Sequence, residues 1–369
     1  MSFGQTAIPC TIIRGGTSRG AYFRKDDLPA EERQRDQVLL AVMGGPDELQ
    51  VDGIGGGHPL TNKVAIVSQS ERPETDVDYL FLQVMPGEGR VSTVQNCGNI
   101  LAGVGPFSIA SGLVEAAAAR TAIRVHLANS GSRCELTVQT PGGCVTSDGD
   151  TRIDGVPGES AAIICDFLDS AGSTCGALLP SGNVSDEIAG YTVTCIDNGM
   201  PVVILRASDF AVSGYEPAAE LDANRELKAG LEALRRQAGS LMNLGDVAAK
   251  TIPKMCLVAA PRDGGLISTR TFIPHDCHRS IGVLGAISVA TACLCEGSVA
   301  AQLANVPEGR EKTVSVEYPA GAMAVRFVVD EDQSCEQMFR RAGVVRTARL
   351  LFKGRVYVPS AVWRGNVTD

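Results

Sequence analysis

The chain has 369 residues, of which 44% are hydrophobic, 20% charged and 5% aromatic. This length favours two domains, and the hydrophobic fraction excludes a disordered or fibrous chain. The 33 basic and 42 acidic residues give a net charge of −9, which argues against a nucleic-acid partner.

The cysteines and the apolar stretches indicate the compartment. Ile281–Cys295 is the longest apolar stretch and is too short to span a membrane, and the first residues lack the pattern of a secretory signal. We therefore expect a cytoplasmic protein with no membrane partner, in which the 12 cysteines stay reduced and most are small buried residues.

Short strand-like runs separated by turn residues dominate the chain. The predicted strands are Ala7–Ile13, Lys63–Ser68, Tyr79–Val84, Ile123–Val125, Glu135–Gln139, Ala161–Phe167, Thr192–Ile196, Val202–Leu205, Lys254–Ala259, Leu266–Phe272, Thr313–Glu317, Ala324–Val329 and Arg355–Val358. Two segments, Ala30–Val42 and Pro217–Gln237, are typical of surface helices.

Two further helical segments, Cys97–Leu113 and His278–Cys295, are apolar or small on every face, so each must be surrounded by protein. They lie about half the chain apart, and similar strands precede and follow each one. The pattern predicts a duplicated α/β protein with halves 1–185 and 186–369 and leaves open a return of the last strands to the first half. Two unrelated domains with a coincidental pair of apolar helices remain the alternative.

Asn96-Cys97-Gly98-Asn99 opens the first buried helix. Asn is a good N-cap, and the N–H groups at a helix start favour anions and thiolates. Cys97 is therefore a candidate reactive thiol, and a routine cap beside a buried cysteine is the alternative.

Lys63 follows the glycine cluster Gly53–Gly57 and leads into an apolar strand. A lysine removed from water can serve as a base, whereas a lysine whose ammonium reaches solvent has no such role.

The segment Arg14-Gly-Gly-Thr-Ser-Arg-Gly20 offers backbone N–H groups, hydroxyls and guanidinium groups that suit a carboxylate or phosphate. It lacks the spacing of a Walker loop, and Gly53–Gly57 is followed by a strand, so a nucleotide cofactor is not expected.

Arg270 to Arg279 precedes the second buried helix and contains His275, Cys277 and His278. With Cys293 and Cys295 these residues suggest zinc, but their spacing fits no common zinc site. Histidines that line an anion site are the favoured interpretation, and no metal is expected.

Several segments together resemble the PrpF-type isomerases. They are RGGTSRGAYF (14–23), VDGIGGGHPLTNKVAIVS (51–68), DVDYLF (76–81), NCGN (96–99), VTCIDNGMPVV (193–203), LGDV (244–247) and PHDCHRSIGVLGAISVA (274–290). The resemblance covers nearly the whole chain and is closest to the 4-oxalomesaconate tautomerase or delta-isomerase branch. It implies a diaminopimelate-epimerase-like fold of class α/β (α+β): two pseudo-symmetric halves, each a curled, mostly antiparallel sheet around a buried helix, with the active site in the cleft between them.

The resemblance also implies the site. The family's base falls on Lys63 and its active-site cysteine on Cys97. The candidates for binding a tricarboxylate are Arg14, Thr17, Ser18, Thr61, Asn62, Asn96, Gly98, Asn99, Arg270, His275 and His278. Asn62 and Leu284 depart from the family pattern, where Ser and Thr are frequent, which puts one substrate-contacting hydroxyl and the wall of the second helix in doubt.

The expected reaction is a cofactor-independent 1,3-allylic shift or keto–enol tautomerisation of an unsaturated tricarboxylate. The alternatives are a 2-methylaconitate isomerase, a racemase or epimerase, a cysteine hydrolase and a non-catalytic carboxylate-binding module. The sequence leaves a homo-oligomer open.

Overall fold

The computed structural model describes residues 4–85, 87–93 and 96–365. The chain divides into two compact units, Met1–Cys165 with Arg346–Asp369, and Asp166–Val345. The second unit begins at Asp166, within a strand, whereas the sequence analysis divides the chain at 185/186, and the last part of the chain belongs to the first unit.

The first unit is a mixed sheet with a helix on each face. Its helices are α1 (Glu32–Met43) and α2 (Gly98–Ala110), and its strands are β1 (Gln5–Gly15), β2 (Ser18–Arg24), β3 (Lys63–Gln69), β4 (Val77–Met85), β5 (Arg90–Ser92), β6 (Arg120–Leu127) and β7 (Arg133–Gln139). Strand β8 (Ala162–Leu168) begins in this unit, and the C-terminal part of β16 (Phe339–Pro359) pairs with β1.

The second unit contains α3 (Ala218–Ala223), α4 (Arg225–Leu241), α5 (Val283–Leu294), β9 (Asp186–Ile188), β10 (Tyr191–Asp197), β11 (Pro201–Arg206), β12 (Lys254–Ala259), β13 (Ile267–Phe272), β14 (Glu311–Tyr318) and β15 (Gly321–Val329). Helix α4 is amphipathic, and its Leu227, Leu231 and Leu234 are buried in the core of this unit.

The same order of strand pairing occurs in both units. In the first, β1–β2, β3–β4 and β6–β7 are antiparallel, and β2–β3 and β4–β6 are parallel. In the second, β10–β11, β12–β13 and β14–β15 are antiparallel, and β11–β12 and β13–β14 are parallel. An all-apolar helix, α2 or α5, follows the fourth strand of each series.

Residues alternate between the two faces of strand β3. Val64 and Ile66 belong to the core under α1, which leaves Lys63 and Ala65 on the face that α2 covers. Helix α2 approaches this face closely, because a Cβ on Gly103 would lie 2.6 Å from Tyr22 Cζ. The sheet therefore presents Lys63 toward the buried helix.

All 13 predicted strands are present, but several predicted bounds are wrong. Helix α5 begins at Val283, five residues after the predicted His278, because Gly282 is its extended N-cap. The predicted helix Pro217–Gln237 is interrupted at Asn224, whose side chain caps α4. Strand β2 and the first part of β16 were not predicted.

Two of the 12 cysteines are not free thiols, contrary to expectation. Cys295 at the end of α5 forms a disulfide with Cys335, since the fold brings their Cα atoms to 5.1 Å. Within the described residues, no helix is both long and apolar enough to cross a membrane.

Candidate functional site

Lys63 is the first residue of β3 and is only 7% exposed. Its Nζ donates to Gln83 Oε1 at 2.9 Å and lies 5.1 Å from the centre of the Phe81 ring. No ion pair joins Lys63 to a carboxylate anywhere in the described parts of the chain. The lysine is therefore held in place by a neutral amide and an aromatic ring, and not by a carboxylate.

Gln83 fixes this lysine from the neighbouring strand. Lys63 and Gln83 are directly opposite in the β3–β4 register, and Gln83 Nε2 donates to the backbone oxygens of Asn62 at 2.8 Å and Pro59 at 3.1 Å. Gln83 is itself buried. Its orientation is set by the donors and acceptors it uses, so its oxygen faces Nζ.

Asn62 is fully buried beside Lys63, and neither its Oδ1 nor its Nδ2 has a hydrogen-bond partner among the described residues. An unsatisfied amide in the interior costs free energy, so it is a natural contact for a polar ligand. This observation fits the predicted binding role of Asn62.

Cys97 immediately precedes α2. The structure makes Cys97 itself the N-cap, with no side-chain cap bond, so the expectation that Asn96 caps the helix is wrong. Asn96 Oδ1 has no partner within the described chain. The free N–H groups of Gly98 and Asn99 therefore lie next to the thiol at the positive end of the helix.

Two buried tyrosines that sequence reasoning missed hold this first turn. Tyr79 donates its hydroxyl to the Cys97 carbonyl at 3.3 Å, and Tyr22 donates to the Ile100 carbonyl at 2.6 Å. Burial, and next the neighbouring Cys97, raise the pKa of each tyrosine well above its ordinary value. Both therefore stay protonated and act as donors. The one sequence signal for these two tyrosines was their alternation with core residues along strands β2 and β4.

A cavity of about 450 Å³ in the first unit brings together Arg14, Thr17, Ser18 and Thr61. Ser18 is 2% exposed and its Oγ has no partner among the described residues. Asn99 Nδ2 donates to Thr17 Oγ1 at 3.0 Å, which links the cavity wall to the first turn of α2. The structure thus groups these four predicted residues beside Asn99.

The remaining predicted residues belong to the second unit. Arg270 is buried, and its Nε and Nη1 donate to the carbonyls of Glu216 and Thr269 at 2.6 and 2.8 Å. His275 Nδ1 lies 3.6 Å from Glu232 Oε2. His278 Nδ1 accepts from the Ser280 N–H at 2.8 Å, which leaves Nε2 to carry the proton in the neutral ring.

Lys254 was missed and corresponds to Lys63 in the second unit. It is the first residue of β12 as Lys63 is of β3, and it is 8% exposed. Its Nζ donates to the Thr251 carbonyl at 2.6 Å. Desolvation, and next Arg235, lower the pKa of Lys254 to about 8. Desolvation and, more weakly, the charge of Lys254 lower the pKa of His278. The sequence signal that could have found Lys254 was its position, since it begins an apolar strand as Lys63 does.

Cys277, which precedes the buried helix α5 of the second unit, has a thiol that stays protonated. Burial raises the pKa of Cys277 to about 12, and the nearby Asp222 acts in the same direction.

The described residues contain no group of three or more His, Cys, Asp or Glu side chains placed to hold a metal. Leu284 lies in the first turn of α5, close to Gly199.

Comparison with known proteins gives consistent matches. A family model described as PrpF protein matches residues 5–359. A 4-oxalomesaconate tautomerase of Pseudomonas putida is 55% identical over 98% of this chain and 99% of its own length. A (4E)-oxalomesaconate Delta-isomerase of Novosphingobium is 56% identical over 95% of this chain and 97% of its own. A crystal structure of a methylitaconate-delta-isomerase has a TM-score of 0.89 and 32% identity, with 97% of each chain covered.

Proposed function

This chain belongs to the PrpF protein family, and we propose that it is the isomerase that moves a proton within 4-oxalomesaconate, an unsaturated tricarboxylate. The two relatives above 50% identity carry that activity in their names and cover nearly the whole chain. The observation in this molecule that carries the proposal is a buried lysine held by a neutral amide, in the same unit as a thiol at the start of a buried helix.

The reaction requires one proton to leave and one to arrive. In our proposal the neutral Nζ of Lys63 takes a proton from the carbon beside the conjugated carbonyl. The electron pair of that C–H bond spreads into a dienolate. The thiol of Cys97 then donates a proton at the other end of the conjugated system, and the lysine proton returns to the thiolate through solvent. No electrons leave the substrate, so no redox partner is needed.

The negative charge of the dienolate needs stabilisation. The N–H groups of Gly98 and Asn99 point from the positive end of α2, where they suit an oxyanion or carboxylate. Asn62, Asn96, Thr17, Ser18, Thr61 and Arg14 are the proposed contacts in the first unit, and Arg270, His275 and His278 in the second. For Arg270 the bonds already made by Nε and Nη1 leave Nη2 for a ligand.

We also propose that the repeated strand order reflects an ancestral duplication, as in the diaminopimelate-epimerase-like arrangement that the resemblance implies. A cytoplasmic location belongs to the same proposal, and a homo-oligomer stays a prediction.

A 2-methylaconitate isomerase is the second candidate function, since Lys63 and Cys97 would also serve its allylic shift. An epimerase with two thiols is disfavoured by the protonated, buried Cys277.

The test is incubation in deuterated water with 4-oxalomesaconate and, separately, 2-methylaconitate, followed by proton NMR. We expect solvent deuterium in 4-oxalomesaconate alone. Lys63→Met and Cys97→Ala each lower turnover by roughly 100-fold or more because each removes a proton-transfer group. Both variants still bind the tricarboxylate by calorimetry. Full turnover in both variants would refute the mechanism, and exchange into 2-methylaconitate alone would favour the second candidate.

A further inference from the structure

Three arginines lie side by side on three neighbouring strands of the first unit. In the antiparallel registers, Arg14 of β1 is directly opposite Arg19 of β2 on one side and Arg349 of β16 on the other. Residues directly opposite in antiparallel strands project from the same face, so the three guanidinium groups form a row. All three line the 450 Å³ cavity that also contains Ser18.

The positive charge of this row is not neutralised within the described residues. No ion pair joins Arg14, Arg19 or Arg349 to a carboxylate there. Arg14 is anchored by neutral acceptors only: its Nη1 donates to Thr347 Oγ1 at 2.9 Å and to the carbonyls of Thr347 and Gly16 at 3.1 Å. Its Nη2 reaches Ser160 Oγ at 3.4 Å. Arg14 is thus fixed in place while its charge stays available.

Like charges directly opposite on adjacent strands are destabilising. Desolvation, and next the nearby charge of Arg349, lower the pKa of Arg14, and the second of these causes is that repulsion. Two acidic residues, Asp148 and Glu159, also line the cavity. Glu159 is already paired with Arg152 at 2.8 Å, so the wall does not balance the row. The buried Ser18 hydroxyl, which lacks a partner among the described residues, adds a donor beside the arginines.

We propose that Arg19, Arg14 and Arg349 form a binding site for an anion that carries several carboxylates. A row of planar forks matches carboxylates in geometry as well as charge. The anion has two sources: the distal carboxylates of the isomerase substrate, or a separate di- or tricarboxylate held near the site. The first of these rests on the proposed function, whereas the site itself does not.

The binding test uses the full chain and tricarballylate, a saturated tricarboxylate that cannot isomerise. By calorimetry, Arg349→Met and Arg19→Met each weaken tricarballylate binding by roughly 10- to 100-fold, as expected for loss of a charged hydrogen bond. Arg355→Met is the matched control on the same strand outside the cavity and leaves the affinity unchanged. Wild-type affinity in both row variants, or no binding by the wild type at millimolar tricarballylate, would overturn the site.

Stability separates an anion site from a structural role. Because Arg349 repels Arg14, Arg349→Met keeps or raises the Tm of the ligand-free protein and loses the rise in Tm that tricarballylate gives the wild type. A lower Tm in the ligand-free variant, with an unchanged rise on adding tricarballylate, would show a structural role and refute the proposal.

Inhibition kinetics identify the source of the anion. If tricarballylate competes with 4-oxalomesaconate and Arg349→Met raises KM, the row holds the substrate's own carboxylates. If tricarballylate binds through the row without competing, the row holds a separate anion. A wild type that binds tricarballylate through the row but does not turn over 4-oxalomesaconate would leave the site standing and refute the proposed function.

Discussion

At the scale of single residues, Gln83 decides how Lys63 is presented. Its amide oxygen accepts a hydrogen bond from the lysine Nζ, and its amide nitrogen donates to the backbone carbonyl of Asn62. A carboxylate at this position would place a negative charge beside Nζ and favour its protonated form, whereas an amide adds no charge. The identity of residue 83 therefore bears on whether Lys63 can accept a proton.

We predict that Gln83→Met lowers kcat about 10- to 100-fold and changes KM little, because the base loses its fixed position. Gln83→Glu lowers kcat further, since its charge favours the ammonium form of Lys63. Steady-state kinetics with 4-oxalomesaconate measure both. Gln69→Met is the control, since Gln69 is an exposed glutamine at the end of β3, the strand of Lys63. An unchanged kcat in Gln83→Glu would contradict this role.

Local patterns, a glycine cluster before Lys63 and a helix start at Cys97, made these two residues candidates, and the resemblance to the PrpF-type isomerases implied their roles. Gln83 and Arg349 lie within ordinary strand sequence, and their roles depend on which residue the register sets opposite them. Registers come from pairings between distant segments, so these residues could not be assigned from the sequence alone.

At the scale of elements, the placement of helix α2 depends on a glycine, whose lack of a side chain lets the helix pack closely. Gly103 lies against the ring of Tyr22, and Tyr22 in turn holds the first turn of α2 through the Ile100 carbonyl. The usual gain from replacing a helical glycine by alanine is therefore opposed by a rigid neighbour.

We predict that Gly103→Ala destabilises the protein by about 1–3 kcal/mol through overpacking against Tyr22. Gly230→Ala, in the exposed helix α4 with open space around it, stabilises by about 1 kcal/mol. Urea unfolding of the two variants measures the difference. Equal effects of the two substitutions would show that α2 can move away from Tyr22.

Apolar content on every face predicted both buried helices correctly, but not where α5 begins. The residues between Pro274 and Ile281 form bends and an isolated bridge, and the extended Gly282 is the N-cap of α5. Strand β2 was not predicted because RGGTSRG is typical of a loop; its turn occupies only the residues between β1 and β2.

At the scale of the whole molecule, Lys254 couples folding to pH. Its folded pKa of about 8 lies below the ordinary lysine value of 10.5, so burial of the ammonium opposes folding below pH 8. Between these two values the unfolded chain binds more protons than the folded one, and stability contributed by this group rises with pH.

We predict that the stability of the wild type relative to Lys254→Met rises by roughly 3 kcal/mol between pH 8 and pH 10.5. Chemical unfolding of both proteins across this range measures the difference, which removes the contribution of other titrating groups. Lys250→Met, a neighbouring exposed lysine, is the control. A constant difference between wild type and Lys254→Met would show that Lys254 stays charged in the folded protein.

The division of the chain has a consequence for its synthesis. The second unit is one continuous stretch, whereas the first needs β16 to complete it, and β1 pairs along its whole length with that last strand. Until the ribosome has made β16, the 11-residue β1 presents an open edge that can pair with other chains. Nascent chains therefore carry this unpaired edge until translation is nearly finished, and we expect them to depend on chaperone protection until then.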